Sequence, residues 1–92
     1  MSATSTHTTG LTLYILEYCP FCHRVLDTVE ELGLKIPTKE TSRDRGARAE
    51  LIAGGGMSQV PCLRIEKPDG TVEWMYESAD IVRYLRGRFG GG

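Results

Sequence analysis

At 92 residues, with 40% hydrophobic and 25% charged side chains, the sequence has the make-up of one soluble globular domain with a single modest core. Its net charge of −1 argues against nucleic acid or an anionic membrane as a partner, and its longest apolar run is far too short to span a bilayer. Three cysteines are an odd number and too few for a disulfide scaffold, which points to a reducing cytoplasm.

Residues 1–10 are polar and lack both a basic segment and an apolar segment, so no secretory signal is visible. Their Ser/Thr richness is that of a transit peptide, but they hold no arginine. They read as a disordered tail ahead of a domain over 11–89, with 90–92 as a frayed end. Leu11 to Glu17 reads as a buried first strand. Cys22, Val25, Leu26, Val29 and Leu32 then share one face of a helix that Gly33 ends. Lys35 to Thr41 is a weaker strand, which Pro37 confines to an edge. Thr41 or Ser42 is expected to cap a second helix, with Asp44 in its first turn, running to about Ala53 and stopped by Gly54, Gly55 and Gly56. Arg43, Arg45 and Arg48 cluster here, and read as a solvated helix face.

Pro61 to Glu66 is a third strand, and Lys67-Pro68-Asp69-Gly70 a tight turn. Val72, Trp74 and Tyr76 alternate with Glu73 and Met75, so a fourth strand pairs with the third as a hairpin. Ser78 is expected to cap a last helix whose apolar stripe is Ala79, Ile81, Val82, Leu85 and Phe89. The order is β-α-β-α-β-β-α. A right-handed β-α-β crossover plus the hairpin gives an α/β fold, with one four-stranded mixed sheet and helices on both faces.

The chemistry is concentrated in Cys19-Pro20-Phe21-Cys22, between the first strand and the first helix. That context makes the two cysteines a redox pair. Cys19 falls at the helix cap. Pro20 falls at the first helical position, where its missing N–H costs nothing. The Cys19 sulfur is then expected to face unpaired backbone N–H groups and the positive end of the helix dipole, which favour the attacking thiolate. Cys22 falls one turn inside, toward the core. Zinc is the rival use of such a pair. It needs about four ligands, and only Cys62, His7 and His23 remain, with His7 in the tail. No metal is expected.

This order and motif resemble the thioredoxin fold and, within it, the glutaredoxins. Three blocks carry the likeness: residues 14–25 around the cysteines, Gln59-Val60-Pro61-Cys62-Leu63, and Tyr76 to Leu85. The first is similar to dithiol glutaredoxins, with Phe21 where Tyr is commoner. Leu16 stands where many of them carry a lysine, which leaves more of the thiolate's stabilisation to the helix terminus. The second matches the segment where the family keeps a cis-proline facing the active cysteine. An ordinary strand-start proline is the plainer reading of Pro61. In the third, glutaredoxins usually carry two glycines and an aspartate. Glu77-Ser78 instead resembles glutathione transferase N-terminal domains and transferase-like glutaredoxins.

The resemblance implies a glutathione-dependent thiol–disulfide oxidoreductase, with Cys19 as nucleophile, Cys22 as its partner and glutathione as co-substrate. Glutathione's cysteinyl unit is expected to pair with the backbone of Val60 beside a cis Pro61. Its γ-glutamyl carboxylate would meet the hydroxyl and N–H of Ser78 at a helix N-terminus, and its ammonium Glu77. Gln59 would be a neutral contact, with Tyr18 and Phe21 on the rim. Partners are then glutathione and glutathionylated or disulfide-containing proteins, and the chain is expected to be a monomer. An alternative is a module in which two chains hold a [2Fe-2S] cluster through Cys19 and two glutathiones, against which Pro20 argues by stiffening the loop. Conjugation of transferase type is not expected, because the sequence stops after the last helix. Cys62 is read first as a small buried strand residue, with a third reactive thiol as the alternative. His23 is read as a surface histidine, with tuning of the thiolate as the alternative. Trp74 and Tyr76 are read as packing.

Overall fold

The structure, a computed structural model, describes residues 10–90. Residues 1–9 and 91–92, which hold almost all of the expected tail and frayed end, lie outside the described residues. The elements follow the expected order: β1 (Leu11–Ile15), α1 (Pro20–Glu31), β2 (Thr38–Glu40), α2 (Arg45–Gly55), β3 (Cys62–Glu66), β4 (Val72–Met75) and α3 (Ser78–Phe89). They build one sheet in the order β2-β1-β3-β4. β1 runs parallel to β2 and antiparallel to β3, and β3 and β4 form the hairpin. Gly70, at φ 93°, turns that hairpin as only glycine does readily.

Alternation along the strands splits the core in two. Leu11 and Leu13 of β1, with Leu63 and Ile65 of β3, point to one face. There they pack against Val25 and Val29 of α1 and Ile81 and Leu85 of α3. Tyr14 and Cys62 point to the other face, under Ala47 and Leu51 of α2. β2 is shorter than Lys35–Thr41. Pro37 cannot donate to a ladder, so the chain before it delivers Leu34 and Ile36 into the first core instead of pairing.

Four local expectations are corrected. Neither Thr41 nor Ser42 caps α2. The Thr41 hydroxyl donates to the Ile15 carbonyl at 3.2 Å and the Ser42 hydroxyl to Glu40, so both are drawn away by other partners. Asp44 takes the cap, accepting the Ala47 N–H at 3.0 Å. Ser78 does not cap α3. The first helical bond runs from the Ile81 N–H to the Glu77 carbonyl, so Glu77, in extended conformation, is the cap residue and Ser78 is already helical. Ala79 is exposed, and Tyr84 joins the partly buried side of α3 in its place. α2 also continues through Gly54 and Gly55, and Gly56, at φ 90°, ends it.

Candidate functional site

β1 ends at Ile15 and α1 begins at Pro20, so only residues 16–19 turn the chain from strand to helix. Cys19 occupies the cap position with extended backbone, and Pro20 follows at the first helical position. The first helical bond is made by the His23 N–H to the Cys19 carbonyl at 3.1 Å. Pro20 has no N–H, so the Phe21 and Cys22 N–H groups are left as the unpaired donors of the first turn. The Cys19 side chain itself makes no capping bond, and the residue is half-buried. The expected cap position is therefore occupied by Cys19, without the cap hydrogen bond.

Cys22 is fully buried. Its sulfur accepts the Leu16 N–H at 3.4 Å. Burial pushes its thiol up to about 12, against the opposing pull of the Leu16 N–H, and the hydrogen bond to Cys19 adds to the rise. The pair is thus unequal: Cys19 is partly exposed, whereas Cys22 is buried and holds its proton inside the core. Cys62 is also fully buried, between Tyr14 and Leu51, with its thiol pushed up to about 12 by burial. It is part of the second core, on the α2 side of the sheet.

A cleft of about 150 Å³ is lined by Phe21, Gln59, Val60, Pro61, Tyr76, Glu77 and Ser78. Three separate stretches of sequence meet in it: the first turn of α1, the chain entering β3, and the β4–α3 junction. The Val60–Pro61 peptide bond is cis. Six of the candidate glutathione residues therefore share one hollow. Tyr18, the seventh, is 83% exposed and is not part of the lining, and neither is Cys19, which lies two residues before the lining residue Phe21. Tyr76 is the lining residue that sequence reasoning assigned to packing alone. Its hydroxyl donates to the Met57 carbonyl at 3.1 Å, and its ring lies over Gly55 at the end of α2. Its position directly before Glu77, at the end of an alternating strand, was the available signal.

His23 is exposed, and its Nε2 lies 2.7 Å from the Glu17 carbonyl oxygen. Arg43, Arg45 and Arg48 are all exposed. Arg43 pairs with Glu17 beside the Cys19 loop. Among the described residues no three His, Cys, Asp or Glu side chains gather as metal ligands would, and no helix is long and apolar enough to cross a membrane. A larger hollow of about 680 Å³, against Gly10, Lys67, Pro68, Tyr84 and Arg88, lies by the start of β1. It holds no cysteine and is at the far end of the sheet from Cys19.

Comparison with solved structures places this architecture among thioredoxin-like folds. Glutathione transferase Omega 2S from Trametes versicolor superposes with a TM-score of 0.70 at 19% identity, covering 88% of this chain and 37% of that one. A thioredoxin-like protein superposes with a TM-score of 0.67 at 18% identity, covering 89% and 96%. Maleylacetoacetate isomerase from Anaeromyxobacter dehalogenans, solved with glutathione in its active site, gives 0.66 at 27% identity, covering 87% and 38%. The chain thus spans little more than a third of the transferase and of the isomerase. Comparison with curated proteins gives no match. Residues 18–87, from the Cys19 loop through α3, match the family described as glutathione S-transferase, N-terminal domain, and the chain belongs to that family.

Proposed function

We propose that this chain is a glutathione-dependent thiol–disulfide oxidoreductase of glutaredoxin type, working in a reducing cytoplasm through the domain formed by residues 11–89. The observation that carries the reading is the unequal cysteine pair at the start of the helix that lends Phe21 to the cleft: a partly exposed Cys19 at the helix N-terminus, a buried protonated Cys22, and Glu77 and Ser78 in the cleft lining. Conjugation chemistry needs no second cysteine held as a thiol.

In the proposed reaction the Cys19 thiolate attacks the glutathione sulfur of a mixed disulfide. A Cys19–glutathione disulfide forms, and the substrate leaves as a thiolate that takes a proton from solvent. A second glutathione thiolate then attacks the glutathione sulfur on Cys19. Oxidised glutathione is released and the Cys19 thiolate is restored, so one free glutathione is consumed per turnover and the disulfide passes from the substrate to glutathione. Cys22 offers a second exit by attacking Cys19 and releasing glutathione, but it must first lose a proton that burial retains. The first exit is therefore the faster one. The glutathione in the isomerase structure supports the cleft as the site for the tripeptide. Glu77 there meets the γ-glutamyl ammonium, Ser78 its carboxylate, Val60 and Pro61 the cysteinyl unit, Gln59 a neutral edge, and Tyr18 and Phe21 the rim.

Cys19→Ser abolishes turnover of a glutathione mixed disulfide, while Cys22→Ser retains it. Equal loss in both variants would make the dithiol exit obligatory and overturn the order of steps. Glu77→Gln keeps size and removes the charge. It weakens single-turnover attack on glutathione mixed disulfides but leaves attack on a small disulfide lacking the γ-glutamyl group unchanged. An equal response to both substrates would remove Glu77 from glutathione recognition.

A further inference from the structure

We propose that Glu40 is a positioning residue for Cys19, holding from the end of β2 the short connection that presents the nucleophile. The proposal rests on the reading of Cys19 as that nucleophile. The connection from Ile15 to Cys19 has no regular structure, so its backbone groups need partners elsewhere. The Ile15 carbonyl accepts the Thr41 N–H at 2.9 Å, and the Leu16 carbonyl accepts the Cys19 N–H at 3.2 Å. The Leu16 N–H goes to the Cys22 sulfur, and the Glu17 carbonyl meets His23 Nε2. The Glu17 N–H donates to Glu40 Oε2 at 2.6 Å. Every backbone group from the Ile15 carbonyl to the Glu17 carbonyl is thereby tied, and the tie two residues before Cys19 is Glu40.

The reach follows from the register. Glu40 sits beside Ile15 in the parallel β1–β2 ladder, and its side chain continues forward where β1 stops. Its other oxygen, Oε1, accepts the Ser42 N–H at 2.6 Å, the Ser42 hydroxyl at 2.5 Å and the Arg43 N–H at 3.3 Å. The carboxylate is therefore fixed on the α2 side and used on the Cys19 side. These donors, the Ser42 hydroxyl first and the Glu17 N–H next, hold its carboxyl down at about 2, so the acceptor is ionised throughout the working range. The Arg43–Glu17 ion pair crosses the same seam. Both its partners are largely exposed, so it adds little by itself.

Two opposed consequences separate positioning from charge. The Glu40 charge also raises the Cys22 thiol. A purely electrostatic role predicts that neutralising Glu40 eases Cys22 ionisation and speeds the second exit. A positioning role predicts that shortening the side chain slows attack by Cys19, whatever its charge. Glu40→Asp makes that separation: it keeps the charge and can still serve Ser42, two residues on, but is a methylene too short for the Glu17 N–H.

The test is single-turnover attack on a glutathione mixed disulfide by the full chain, with KM and thermal unfolding measured alongside. Glu40→Asp is expected to slow attack by about tenfold to a hundredfold, the order of effect when a nucleophile is displaced by about 1 Å. KM changes less than about twofold, because no cleft residue lies on β2. Glu40→Gln, which keeps the reach and one carbonyl oxygen, loses less than Glu40→Asp. Ser42→Ala removes the hydroxyl, one of the three donors to Oε1, and leaves attack within about twofold of the parent. An Asp variant at the parent rate, a Ser42→Ala variant as slow as the Asp variant, or a loss that vanishes when the variant is cooled well below its Tm would each overturn the proposal. If the parent chain does not attack the mixed disulfide at all, the functional reading falls instead. The Glu40 proposal is then decided by the rate of Cys19 alkylation with iodoacetamide, which drops in Glu40→Asp if Glu40 positions the sulfur and is unchanged if it does not.

Discussion

Gly55→Ala tests whether the back wall of the cleft is set by the close approach of α2 to β4. On an isolated helix this change is stabilising by up to about 1 kcal/mol, because alanine is the better helix former. Here a Cβ on Gly55 would lie 1.8 Å from the Tyr76 hydroxyl and 2.8 Å from its Cζ. Ordinary carbon contacts begin at about 3.5 Å, so the ring must give way by well over 1 Å. Displacing it breaks the bond to the Met57 carbonyl, worth about 1 kcal/mol net, and disturbs packing at a cost of about 1–3 kcal/mol. Set against the helix-propensity gain, the net loss is about 2 kcal/mol, or about 8–16 °C in Tm for a domain of this size. Gly87→Ala is the matched control. It is also inside a helix, but its Cβ meets nothing within 4 Å, so it raises Tm by about 4–8 °C. Thermal unfolding by circular dichroism reads both, and KM for a glutathione mixed disulfide rises only in Gly55→Ala. Adding Tyr76→Phe relieves the 1.8 Å contact but not the one at 2.8 Å, so it recovers part of the loss. A Gly55→Ala variant with Tm raised as in Gly87→Ala would refute the reasoning, since Tyr76 would then be free to leave at no cost.

Asp44→Ala lowers stability by about 1 kcal/mol through loss of the α2 cap, whereas Ser78→Ala changes it by less than about 0.5 kcal/mol, because its side chain caps nothing; denaturant midpoints at constant m distinguish the two. Brief iodoacetamide treatment of the native chain at pH 8 modifies Cys19 alone, read by peptide mass spectrometry, because Cys22 and Cys62 are fully buried with thiols pushed up to about 12. Modification of Cys62 at the rate of Cys19 would make it a third reactive thiol. Above pH 8.5 the two buried thiols ionise first in the unfolded chain. Stability is therefore complete below about pH 8.5 and falls as pH rises toward 12, and Cys62→Ala, assayed by unfolding at successive pH values, shows a shallower fall.

What the sequence revealed and what it hid divide along one physical line, the distance over which a residue's role is decided. The Cys19-Pro20-Phe21-Cys22 turn was legible because its determinants are local: an apolar strand behind it, a 3.6-residue stripe ahead, and a proline that fits the first helical position. The α2 cap was misplaced because Thr41, Ser42 and Asp44 are equivalent on local chemistry. The choice is made by Ile15 and Glu40, which take the first two hydroxyls. Gly54 and Gly55 look like a helix stop by propensity alone. They remain helical because Trp74 and Tyr76, twenty or so residues later, occupy the space their side chains would need. Glu40 was invisible for the same reason. Its bond to Glu17 spans 23 residues and exists only once the parallel β1–β2 pairing has set the two segments side by side. The proposed nucleophile is thus suggested by its neighbours in sequence, but the contacts around its loop are made by residues whose partners only the fold supplies. Substitutions that disturb reactivity without touching Cys19 or Cys22 are accordingly expected at Glu40 and Gly55, positions that carry no chemical signature of their own.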